Sequence, residues 1–291
     1  MRATWKYYSF PVVSLILAVL LRYWVATLSE RLAVNYTNTI ILTEEDKFRI
    51  SPTGAWQTST LTTKRLDQTI EVSGQVAIIE GGLHVYYPTG AVNFEVTSLY
   101  GVDRQTRQNV SGYGEVNRNG LFLFPPHVQR IKYSYWDPWF VGERLATFGQ
   151  IENLNGLQVY VFKFSGTGMD ETSGYTYLAD VPNKYLIHTD GAGTIWVEPL
   201  SGSVVDYEDS GLSYFVDPAS GNKVADFNQW TEKYTPETQT AQFILARAAR
   251  LRILVLEDWA PGGLALVGIF VPGSILFLKK IKARSVENAK G

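Results

Sequence analysis

The chain contains no cysteine in 291 residues. That excludes a disulfide framework, a thiol nucleophile and any cysteine-ligated metal. Histidine is scarce: His84, His127 and His188 share no metal-ligand spacing, and each reads as an ordinary strand or loop residue. GxSxG, a P-loop, HExxH and the dinucleotide glycine pattern are all missing. A formal charge of -2 leaves no basic footprint for nucleic acid. The chain therefore reads as non-catalytic, with no cofactor. Asp206, Glu208 and Asp209, with Asp217 nearby, could offer oxygen ligands to calcium, but their spacing fits no EF-hand loop. A solvated acidic turn is the expectation there.

Two long apolar segments are present, one near each end. A membrane helix needs about 20 mostly apolar residues. Residues 261–278, PGGLALVGIFVPGSILFL, carry no charge; Trp259 precedes them and Lys279 and Lys280 come directly after. An amphipathic ring and a snorkelling amine suit the two membrane interfaces. Gly262, Gly263, Gly268 and Gly273 would let another helix approach closely. Near the N-terminus, residues 10–28 are mostly apolar and carry no charge but Arg22, with Trp5 before them and Tyr23 and Trp24 toward their far end. Two readings fit this segment: a membrane anchor with Arg22 snorkelling outward, or a cleaved secretory signal. Either one exports the region beyond residue 29.

Lys and Arg near the spans set orientation. The tail carries Lys279, Lys280, Lys282, Arg284 and Lys290, and Arg2 and Lys6 precede the first span. The expected layout is a membrane helix over 1–29 and an extracytoplasmic domain over 30–234. A juxtamembrane helix over 235–258, a membrane helix over 259–279 and a basic tail over 280–291 complete it. Both termini would be cytoplasmic and the host membrane the plasma membrane.

The middle reads as β. Short runs rich in Val, Ile, Tyr, Phe and Thr are broken by Gly, Asn or Asp. In LQVYVFKF (residues 157–164), Tyr160, Phe162 and Phe164 share one face and Val159, Val161 and Lys163 the other. Asn155-Gly156 before it is a hairpin signal. VTSLYGVDRQTR (96–107) and AGTIWVEPLSG (192–202) echo one another, which suggests two similar halves of curved antiparallel sheet meeting near 136–152. Thr235-Pro236-Glu237 starts a helix. Ala241, Ile244, Leu245, Ala248 and Leu251 recur on it at helical spacing. Arg247, Arg250 and Arg252 near its end either cap a packed stalk or touch anionic lipid headgroups. KYSYWDPWF (132–140) concentrates Tyr133, Tyr135, Trp136, Trp139 and Phe140 around a turn at Asp137-Pro138. It is either a core plug at a hinge or an apolar site for a lipid or a partner.

In order, VDRQT (102–106), LFLFPPHVQRIKYSYWDPWF (121–140), NLNGLQVYVFKF (153–164) and TIWVEPLSGSVVDYE (194–208) resemble the actinobacterial PorA-type family, labelled "porin". The resemblance implies two spans around a β-rich envelope domain and brings no catalytic residues. The hairpin at 194–202 is also similar to strands of exported lipoprotein carriers with a curved sheet. Closed barrels and helices are alternative ways to satisfy backbone groups in lipid. A membrane-anchored domain binding a lipid or another envelope component is thus expected; an accessory subunit of a membrane complex and a porin-like channel are the alternatives.

Overall fold

The computed structural model describes the backbone of residues 2–137 and 142–288, with the side chains of 2–8, 137, 275–276, 278–280 and 282–288 outside that description. The chain divides into two compact units, Leu32–Arg247 and the pair Met1–Arg31 with Ala248–Gly291.

The larger unit is a single antiparallel sheet of eleven strands. The strands are β1 (Thr37–Phe48), β2 (Gln57–Ser73), β3 (Val76–Tyr86), β4 (Val92–Asp103), β5 (Asn109–Gly114) and β6 (Lys132–Asp137). They continue with β7 (Gly142–Leu154), β8 (Leu157–Asp170), β9 (Leu186–Val197), β10 (Val204–Val216) and β11 (Lys223–Tyr234). Their order is β5-β4-β3-β2-β1-β11-β10-β9-β8-β7-β6. Two meanders therefore meet at the β1–β11 pair, where Thr43 lies opposite Lys233 and Glu44 opposite Glu232. The boundary expected near 136–152 falls on β6 and β7, adjacent paired strands of this one sheet.

Residues 115–131 connect one edge of the sheet to the other. The Asn109 amide donates to the Gly120 carbonyl and the Phe122 amide to that of Arg107, both at 2.9 Å. On the other side, the Leu121 amide donates to the Ser134 carbonyl at 2.8 Å and the Trp136 amide to the Leu121 carbonyl at 3.0 Å. The sheet is curved enough for both edges to share this short segment. The same connection plugs the concave face: Leu121, Phe124 and Val128 pack with Tyr135, Phe162, Phe164, Ile195 and Tyr207. Phe124 and Phe162 have ring centroids 4.9 Å apart. Each such buried ring contributes roughly 1.5–3 kcal/mol over an exposed one.

The period-2 pattern of β8 holds. Phe162 and Phe164 enter this core, while Leu157 and Val159 pack on the other face with Phe243 and Ala246. The turn before β8 has φ of 53° at Asn155 and 76° at Gly156, the left-handed pair that a type I′ hairpin requires. The echo noted in the sequence is a recurring turn. Asp103 accepts from the Gln105 and Thr106 amides, and Glu198 from those of Leu200 and Ser201. Asp217 heads a third, accepting from the Ala219 amide at 2.8 Å. In each, the acid's own amide donates to the carbonyl five residues on.

Helix α1 (Arg2–Leu20) continues through a π-helical segment (Leu21–Val25) into α2 (Ala26–Ser29). After β11 come α3 (Pro236–Leu254), a second π-helical segment (Val255–Trp259) and α4 (Ala260–Asn288). Thr235 caps α3 as expected, accepting from the Thr238 amide at 3.2 Å. The buried face of α3 differs from the one the periodicity suggested. Phe243 and Ala246 are buried, whereas Ile244 and Leu245 are 62% and 54% exposed. The sheet selects Phe243 because Leu157, Val159 and Val205 form the receiving surface.

Two stretches are long and apolar enough to cross a membrane, Ser9–Ser29 and Pro236–Ser274. Within the unit formed by Met1–Arg31 and Ala248–Gly291, α1 and α4 pack together at Gly268. A β-carbon there would stand 2.9 Å from Leu15 Cγ, so only glycine permits the approach. Arg22, expected to reach outward, instead donates to Asp258 Oδ1 at 3.0 Å and to the Glu257 carbonyl. Trp24 and Trp259 are 63% and 60% exposed. The side chains of Trp5, Lys279 and Lys280 lie outside the description.

Candidate functional site

The aromatic-rich segment separates into two roles. Tyr135 is buried, stacked on Phe124 at 5.9 Å between centroids. Tyr133 packs edge-on against Phe124 and Phe162, and its hydroxyl accepts from the Gln129 amide at 2.8 Å. These two rings are core. Trp136, half-buried, lines a cavity of about 280 Å3 on the concave face, walled by β2, β3, β4 and residues 116–118. Trp139 and Phe140 lie outside the described residues.

The cavity is built around a chain of polar contacts. Arg65 on β2 donates through Nε to Asp67 Oδ2 at 2.7 Å, and the Tyr100 hydroxyl donates to Asp67 Oδ1 at 3.0 Å. Arg65 and Asp67 sit at successive inward positions of one strand, so their side chains meet. Asp67 keeps the Arg65 guanidinium well above its usual proton affinity against the opposing cost of burial. Burial, with Asp67 second, pushes the Tyr100 hydroxyl well up. Gly81, opposite Asp67, makes room for this bond: a β-carbon there would lie 2.7 Å from the Tyr100 hydroxyl oxygen.

Arg118 completes the site. Its guanidinium carbon lies 3.6 Å from the Tyr100 ring centroid and 5.5 Å from that of Trp136. Nη2 donates to Ser98 Oγ at 2.8 Å. Burial lowers its proton affinity, but a guanidinium stays charged in proteins. The remaining wall is apolar: Leu83, Val96 and Val116 line it. Val96 and its strand neighbour Phe94 remain 46% and 49% exposed. No single motif in the sequence marked Arg65, Asp67, Tyr100 or Arg118. Two different strands and a connection supply them, and only the fold assembles them.

A second polar zone lies further across the same face. Glu44, Glu232 and Asp209 are register partners on β1, β11 and β10. Asp46 is two residues on from Glu44, at the next inward position of β1. Asp209 accepts from the Tyr207 hydroxyl at 2.8 Å and from Trp230 Nε1 at 3.2 Å. Burial, then the neighbouring Asp46 and Asp209, raise Glu44 to about 8. Burial raises Asp46 to about 6. The stretch expected to be a solvated acidic turn is thus a strand whose Asp209 is only 4% exposed. Asp206 is taken by Gln239 of α3, which donates to both its oxygens at 3.0 Å.

Of the three arginines on the helix, Arg247 donates to the Asn155 carbonyl in the β7–β8 turn, a packing role. Arg250 is half-buried and Arg252 exposed. On the opposite face of the sheet, Lys163, Glu208, Lys233 and Glu45 border an open trough of about 970 Å3.

No curated protein matches the chain. Among solved structures, a DUF1329 family protein from Desulfovibrio piger is 8% identical and the match covers 77% of this chain and 90% of that one. Its TM-score of 0.17 is too low to bear on the fold. The family model described as Porin PorA matches residues 9–273. An envelope protein with a β-rich fold and two candidate membrane helices agrees with that match, and the chain belongs to the Porin PorA family.

Proposed function

We propose that this chain is a two-span protein of the cell envelope whose β domain lies outside the plasma membrane and holds a lipid in the cavity beside Trp136. The carrying observation is that cavity itself, about 280 Å3 on the concave face with one apolar wall partly open to solvent. It falls just below the ~300–1,000 Å3 typical of ligand sites, large enough for part of a ligand. The exposed Val96 and Phe94 continue the apolar surface beyond it. In this reading the protein is non-catalytic, its termini are cytoplasmic, and the exposed Ile244 and Leu245 of α3, with Arg252, face membrane lipid. The basic tail after residue 279 supports that orientation.

Native mass spectrometry of the full chain, purified from membranes in mild detergent, tests the lipid reading. Co-purified lipid that diminishes in Val96→Glu is the expected result. A lipid-free spectrum under conditions that preserve lipid on a control protein would reject it. Protease treatment of spheroplasts tests topology: cleavage should fall within 30–258 and leave the tail intact.

A second reading, an accessory subunit of a membrane complex, is favoured by one feature. A β-carbon at Gly262, Gly263 or Gly273 of α4 would meet nothing within 4 Å, so these positions are open to a further helix. A lone monomer in mild detergent would count against it. The channel reading carried by the family label has less support. The outward positions of the sheet hold Lys163, Glu208 and Lys233, where a membrane barrel carries an apolar band.

A further inference from the structure

We propose that the cavity beside Trp136 recognises a single-chain lipid through an anionic headgroup, with Arg118 as the headgroup contact; this deepens the lipid reading above and rests on it. Two cations and one carboxylate line the cavity: Arg65, Arg118 and Asp67. The Arg65–Asp67 pair is internally neutralised at 2.7 Å. One positive charge is left, and it belongs to Arg118. Among the described residues no carboxylate stands within ion-pair distance of its guanidinium. Its guanidinium lies over the Tyr100 and Trp136 rings, donates to Ser98, and also feels the Tyr100 hydroxyl and, at longer range, the Asp67 carboxylate that Arg65 already pairs. A guanidinium has five donors in a planar fork that matches carboxylate and phosphate oxygens. One of them is used by Ser98, and the two aromatic faces hold the plane in place. A cation held this way in a partly dry cavity is complementary to an anion and repels a cationic head.

The lipid chain would lie along the apolar part of the cavity wall. Leu83, Val96 and Phe94 point to the concave face, in register across β3 and β4. They run away from Arg118 toward solvent, with exposure near one half at Val96 and Phe94. The cavity is large enough for a headgroup and the first carbons of one chain, and this strip would cover the next few. A two-chain lipid would leave its second chain in water.

The test uses the full chain in a neutral maltoside detergent at about pH 9, where a fatty carboxyl is ionised, with radiolabelled palmitate and hexadecanol as probes. Palmitate should bind about ten- to hundredfold more tightly than hexadecanol, the margin expected of a charged hydrogen-bonded contact. Arg118→Gln should abolish that preference while hexadecanol binding persists, which also shows that the variant is folded. Arg118→Lys should recover part of the preference. Equal binding of acid and alcohol to the natural protein, or a preference unchanged in Arg118→Gln, would overturn the headgroup assignment and leave the lipid reading standing. Binding of neither probe would overturn both.

Discussion

The concave face carries two polar zones built on opposite principles. Around Trp136, Arg65 and Asp67 neutralise one another and Arg118 is clamped between two rings. At the β1–β11–β10 seam, Glu44, Glu232 and Asp209 stand in one row with Asp46 beside them. The first zone is fixed by attraction between unlike groups. The second is tolerable only because some of its carboxyls keep their protons, as the raised proton affinities of Glu44 and Asp46 show. Burial on one curved sheet thus gives a pH-insensitive cationic cavity and a pH-sensitive acidic seam. The difference arises from which charges each strand brings inward.

The largest effect that would break the contrast is at Arg65. Arg65→Met should remove the close counter-charge and leave Asp67, 3% exposed, with only the Tyr100 hydroxyl and the more distant Arg118 to offset its charge. The expected cost is about 3–5 kcal/mol, read as a lowered midpoint in denaturant titration followed by tryptophan fluorescence. A loss below roughly 1 kcal/mol would mean that the pair is solvated and the zone is not held by it.

At the seam the effect should have the opposite sign. Glu44 binds its proton with a pKa of about 8 in the folded protein against an ordinary 4.5. Between these values the folded state holds a proton that the unfolded chain has released, so rising pH favours unfolding. Stability should therefore fall from about pH 4.5 to 8 and level off above. Glu44→Gln mimics the protonated form and should flatten that fall, a gain of roughly 2–4 kcal/mol at pH 8. Parallel pH profiles of the two proteins would expose a seam that is hydrated and unshifted.

The same contrast explains how much is legible in the chain alone. The terminal apolar segments, the capped helix at Thr235, the Asn155-Gly156 hairpin and strands such as 157–164 are legible because hydrophobic period and turn chemistry agree there. β1 and β11 are not, although they are central. TNTIILTEEDKF places Glu44 and Asp46 inward, and KVADFNQWTEKY places Glu232 inward. A strand with buried acids loses the alternation that identifies strands. The acids of 206–209 suggest a solvated turn for the same reason. The aromatic segment at 133–136 is visible as a cluster, but its division into core tyrosines and a cavity-lining Trp136 depends on Leu121 bridging both sheet edges. Arg65, Asp67, Tyr100 and Arg118 come together through strand register, which single-sequence spacing does not encode.

One tyrosine in each zone donates its hydroxyl to a carboxylate, and the two bonds differ in what else that carboxylate has beside it. Tyr207→Phe removes a 2.8 Å bond to Asp209, whose register neighbour Glu232 is itself an acid. With a like-charged group alongside, a lost donor is felt strongly, and about 2–3 kcal/mol is expected above pH 8. The loss should shrink toward pH 5, where the acids around Asp209 carry less charge.

Tyr100→Phe removes a 3.0 Å bond to Asp67, but that carboxylate keeps the Arg65 guanidinium at 2.7 Å. The cost should be only about 1 kcal/mol and flat from pH 5 to 8, because the charge on Asp67 is still compensated. The phenyl ring would remain under Arg118, so the preference for palmitate over hexadecanol should survive. A pH-dependent loss in this variant would show that Asp67 relies on the hydroxyl rather than on Arg65. The two zones would then be held by the same kind of contact, and their contrast would disappear.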